Sequence, residues 1–68
     1  MTQAEHIAKS VLKGYTDMGQ DFETAKKNAI NALRLITNAL YSGAYDQNVQ
    51  QMFYAIGYLE SLRYLHPR

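Results

Sequence analysis

The chain has 68 residues, no cysteine and a formal charge of +1, with 47% hydrophobic and 19% charged residues. Such a composition excludes a disordered tail and a disulfide-stapled scaffold, and it lacks the positive field that draws proteins onto phosphate backbones or anionic lipid. What remains is one small domain over residues 1–68, a size at which folding removes only about 60% of the surface of the unfolded chain. Small cores of this kind are commonly reinforced by disulfides, a metal or oligomerisation, and without cysteine the expectation falls on oligomerisation.

Thr2-Gln3-Ala4-Glu5 has the form of a capping box, so a first helix is predicted over 2–18. Ala4, Ile7, Ala8, Val11, Leu12, Tyr15 and Met18 follow in steps of three and four and draw one apolar stripe. Glu5, His6, Lys9, Ser10, Lys13 and Asp17 take the polar side, and Gly19 is placed to end the helix. Asp21 is placed to cap a second helix over 22–41, whose apolar side is Phe22, Ala25, Ala29, Ala32, Leu33, Ile36, Ala39 and Leu40. The alanines on that side let a neighbouring helix approach closely. Gly43 and Asp46 mark the next break, and a third helix is predicted over 47–65, before Pro67. The fold class is therefore all-α, an antiparallel three-helix unit.

The third helix carries two stripes. Val49, Met52, Phe53, Ile56 and Leu59 form one, and Tyr54, Ala55, Tyr58, Leu62 and Leu65 form another on roughly the opposite side. A helix apolar on two sides needs two partners. One is supplied by the protomer, and the second stripe is expected to be the interface of a homo-oligomer, a dimer first.

No apolar run reaches the roughly 18–20 residues that span a bilayer, and Met1-Thr2-Gln3-Ala4-Glu5 lacks the layout of a secretory signal. A cytoplasmic protein is expected, or one of the host cytoplasm if a phage encodes it. His6 and His66 have no second ligand at metal spacing along their helices, so no metal and no cofactor are expected. The carboxylates have other work: Glu5, Asp21 and Asp46 at helix starts, Glu23 as the i,i+4 partner of Lys27. With no nucleophile, base and orienting group brought together, an enzyme is not expected.

Tyrosine is the compositional outlier, with six in the chain. Its rigid ring and polar tip suit contact surfaces. Tyr41 and Tyr45 flank the second turn, and Tyr54 and Tyr58 lie on the third helix. Glu60 and Arg63 follow where a core position would otherwise continue, either as a surface pair or as a salt bridge to a partner. These six residues are the expected contact set for an unidentified protein. Gln47, Asn48, Gln50 and Gln51 raise a helix-turn-helix reading, in which amides reach base edges. Residues 35 to 62 hold no Lys or Arg, however, so phosphate anchoring is missing beside that helix and nucleic acid is not the expected partner.

Two stretches, Lys13-Gly14-Tyr15 and Gln50-Gln51-Met52-Phe53-Tyr54-Ala55-Ile56-Gly57, resemble elements of phage proteins that sequester cyclic nucleotides and so blunt the CBASS immune system. The second is similar to that family's run of acid, Gln, Arg, aromatic, apolar, Ala or Ser, Ile and Gly, with Met52 standing where the family has Arg. The resemblance implies a small helical oligomer holding a nucleotide between protomers. Tyr15 would stack on a base, and Lys26 or Lys27 would meet phosphate. The leading expectation is a non-enzymatic binding protein, a bacterial or phage regulator or inhibitor that acts by protein contact. A nucleotide sponge and a DNA binder are its alternatives.

Overall fold

The computed structural model describes residues 2–41 and 46–62. Three helices, α1 (Gln3–Asp17), α2 (Phe22–Leu40) and α3 (Gln47–Ser61), each pack on the other two, which is the all-α three-helix unit the periodicity predicts. Lys26, near the start of α2, donates to the carbonyl of Leu62 just past the end of α3, so these two helices run antiparallel. The Cα radius of gyration is 12.5 Å, above the about 11 Å of a compact globule of this length.

The ends of the helices follow local chemistry. Thr2 caps α1, its hydroxyl accepting from the Glu5 amide at 3.1 Å. At the other end Gly19 has φ +92°, a left-handed conformation that glycine adopts without a Cβ clash. There the Gly19 amide donates to the Thr16 carbonyl and the Gln20 amide to that of Tyr15, the paired bonds of a Schellman motif. Asp46 caps α3, its Oδ1 accepting from the Val49 amide at 3.0 Å. Asp21 stands at the cap position of α2, but its side chain makes no capping bond. The third helix also stops earlier than predicted: Leu62 has ψ 139°, and the sequence offers no breaker before Pro67 to signal it. Gly43 lies outside the described residues.

The core is built largely from small residues. Ala4, Ala8, Ala25, Ala29, Ala55, Leu33, Val49, Ile56 and Leu59 are buried, with Thr37 beside them. Five alanines among these let the backbones come close. On α2 the buried positions are Ala25, Ala29, Leu33 and Thr37, each four residues after the last. A step of four advances about 40° beyond a full turn, so the buried line winds around α2. A straight stripe instead places Ile36, Ala39 and Leu40 inside, and all three are exposed. Thr37 takes the inward position because its hydroxyl donates to the Leu33 carbonyl at 2.6 Å, which satisfies the polar atom within its own helix.

The two stripes of α3 have a simpler explanation than an external partner. A helix in a three-helix unit faces two neighbours. Ala55 is wholly buried inside the protomer, and Tyr58 and Leu62 are half-buried against the core cluster. Of the residues predicted as an oligomer interface, Ala55 is thus covered from within and Tyr58 and Leu62 partly so, Tyr54 is 55% exposed, and Leu65 lies outside the described residues. Conversely Phe53, predicted inside, is 46% exposed.

Candidate functional site

The start of α1 and the middle of α3 enclose an open groove of about 390 Å³, lined by Thr2, Ala4, Glu5, Gln51, Tyr54 and Tyr58. Each wall has a local cause. The Thr2 cap fixes where α1 begins, and the buried Ala4 leaves a low apolar floor. Gln51, Tyr54 and Tyr58 are spaced three and four apart, so they form one ridge along α3. Tyr58 packs its ring body against the core, whereas Tyr54 is 55% exposed. One turn earlier, Gln50 Nε2 donates to Tyr54 Oη at 2.8 Å, which steadies the ring without closing the groove. The groove therefore offers two phenol rings, an amide and one carboxylate over an apolar floor, and no cation among the described residues that line it.

Of the six predicted contact residues, the structure brings together only Tyr54 and Tyr58. Tyr41 is exposed at the C-cap of α2, and Tyr45 and Arg63 lie outside the described residues. Glu60 pairs across helices: its Oε2 meets Arg34 Nη2 of α2 at 3.0 Å. Both side chains are more than half exposed, so the pair ties α3 to α2 but contributes little, about 0–1 kcal/mol. Thr2, Ala4, Glu5 and Gln51 are the groove residues absent from the predicted contact set, Glu5 and Gln51 being those with the polar chemistry. The signal for Gln51 was present in the three- and four-residue spacing of Gln51, Tyr54 and Tyr58, but the pairing of α1 with α3 that adds Glu5 is a tertiary fact.

The residues implied for a nucleotide site stand apart within one protomer. Tyr15 lines a hollow with Val11, Gly14 and Met18, while Lys26 and Lys27 line another with Glu23, Ile30, Asn31 and Arg34. Lys26 is engaged as well, its Nζ donating to the Leu62 carbonyl at 2.6 Å in a part-buried setting. It holds the C-terminal end of α3, where an ammonium group meets the negative end of the helix dipole. The expected Glu23–Lys27 pair is not formed; the i,i+4 ion pair is Lys13–Asp17, at 2.9 Å.

His6 is exposed and His66 lies outside the described residues. Among the described residues no three His, Asp or Glu side chains gather as a metal site, and no helix is long and apolar enough to cross a membrane. No protein-family model, no curated protein and no solved structure matches the chain.

Proposed function

We propose that the protein is a non-enzymatic binding module of the bacterial or phage regulator type, acting by protein–protein contact through the α1–α3 groove. The observation that carries this reading is the convergence of Tyr54, Tyr58 and Gln51 with Glu5 over the Ala4 floor. At about 390 Å³ and open to solvent, the groove suits one or two side chains of a larger partner. Its chemistry selects among them. Two phenol rings and a carboxylate without a cation favour a basic side chain, above all an arginine, which stacks on tyrosine and pairs with Glu5. A phosphate-bearing ligand finds no counter-charge there.

A photo-crosslinking residue placed at Gln51 tests this in a bacterial lysate. One discrete adduct to a different protein is expected, and it should vanish when Glu5→Lys is added to the same chain. A smear of adducts, or one indifferent to Glu5→Lys, removes the groove as the binding site. Once the partner is in hand, Tyr54→Ala or Tyr58→Ala should cost upward of about 2 kcal/mol in its binding, as truncated aromatic anchors do.

A further inference from the structure

The end of α3 does not lie where its own sequence would put it. Leu62-Arg63-Tyr64-Leu65 holds no glycine or proline, and leucine and arginine are among the better helix formers, so local propensity would carry the helix on toward Pro67. Space beside α2 does not stop it, because α2 begins at Phe22, one turn before Lys26. Yet α3 ends at Ser61, and Leu62 is extended, with φ −71° and ψ 139°.

Three hydrogen bonds replace those of a continuing helix. The Tyr58 carbonyl, which the next i→i−4 step would pair with the Leu62 amide, accepts from the Ser61 hydroxyl at 2.7 Å. The Leu62 amide turns instead to the Leu59 carbonyl at 3.2 Å, the tightened bond of a last turn. The Leu62 carbonyl, which a longer helix would pair with the His66 amide, accepts from Lys26 Nζ at 2.6 Å. The first two are local and form at the ends of many helices. The third spans 36 residues of sequence, is part-buried, and is strengthened by the charge of its donor.

That third bond also has a direction. Between helical ψ, about −42°, and the 139° of Leu62 the carbonyl swings through about half a circle, from the helix axis toward the side where Lys26 meets it. The bond therefore favours the short helix over the long one. We infer that Lys26 is a latch on the length of α3: its ammonium group selects the extended Leu62 and ends the helix at Ser61, and without it α3 grows by about one turn, to Leu65. A second cation of α2, Arg34, also grips the last turn of α3, through the Glu60 carboxylate, but it does not touch the carbonyl whose direction distinguishes the two lengths. The longer helix would set Leu62 and Leu65 four and seven residues beyond Tyr58, on one flank. The latch thus controls how far the apolar flank of α3 runs past the groove, whether or not the groove has a partner.

Backbone ¹³Cα shifts of the full chain test this, since they separate helical from extended residues one by one. Lys26→Met keeps the unbranched stem and removes the charge; it should move Leu62, Arg63, Tyr64 and Leu65 to helical shifts. Lys26→Arg should leave Leu62 extended, because a guanidinium also donates to a carbonyl. Arg34→Met removes the other grip and should leave Leu62 extended as well. If Leu62 stays extended in Lys26→Met, the proposal is overturned. It is overturned equally if Leu62 only moves to a random-coil shift with no helix gained beyond it, or if Arg34→Met lengthens α3 as much, which would mean a general loosening of α3 from α2.

Discussion

The two ends of this bundle are built differently. At the end marked by Gly19, all three helices overlap, and the turn is closed by backbone hydrogen bonds and by Asn28 Nδ2, which donates to Gln20 Oε1 at 2.9 Å. At the other end α1 does not reach. Fifteen residues of α1, set against α2 by a short turn, extend about 22 Å, while the nineteen of α2 extend about 28 Å. The last turn of α2 and the first of α3 therefore stand as a pair. The consequence is visible in two leucines seven residues apart on nearly the same side of α2: Leu33, under α1, is 1% exposed, whereas Leu40 is 48% exposed. Apolar residues of the same type in one helix thus differ in burial because a third helix is present over one stretch and absent over the next.

The largest expected effect tests the three-helix end. Leu33 packs with Ala4, Ala8, Ala29, Ala55, Ile56 and Leu59 in one cluster, so Leu33→Ala should cost about 2–5 kcal/mol, the lost transfer energy plus the cavity left behind. A chain of this length has about 3–10 kcal/mol in all, and urea unfolding followed by helical circular dichroism should show a variant near the edge of folding. A loss under about 1 kcal/mol would mean that the cluster does not carry the fold.

The same contrast explains what could be read in advance. Helix number, order and starting points were legible because caps and turns are local: Thr2, Gly19 and Asp46 act on residues next to them in the chain. Inward-facing alanines at positions 4, 8, 25 and 29 were legible from spacing. The winding of the buried line on α2 was not, since it depends on how α2 crosses its neighbours, and that is why Thr37 is inside and Ile36 outside. Likewise the two apolar flanks of α3 are visible in sequence, but whether α1 or a second copy covers them is not. For the site, Tyr54 and Tyr58 could be singled out, whereas the contribution of Glu5 needed the pairing of α1 with α3.

An intermediate effect separates the ends by their caps. Asp46 begins α3 at the two-helix end and accepts from the Val49 amide, while Asp21 begins α2 beside the closed turn and makes no such bond. Asp46→Ala should therefore cost about 1 kcal/mol, the usual loss of an N-cap, and Asp21→Ala only a few tenths, through the helix dipole. Paired urea titrations resolve that gap. Equal losses would show that Asp21 engages its helix in solution as Asp46 does.

The smallest effect is also the sharpest test of the comparison. Leu40 lies past the reach of α1 and is 48% exposed, so Leu40→Ala removes side-chain atoms that are already largely in water. The better helix propensity of alanine offsets a little of the remaining burial, and the net change should stay within about 0.5 kcal/mol, as for surface substitutions generally. The measurement is best made at two protein concentrations. If Leu40→Ala costs nothing when dilute but about 1 kcal/mol or more when concentrated, as loss of buried methylenes does, the open end is covered by association. If it costs as much as Leu33→Ala when dilute, the two ends are equally buried, and the shortness of α1 has no thermodynamic consequence.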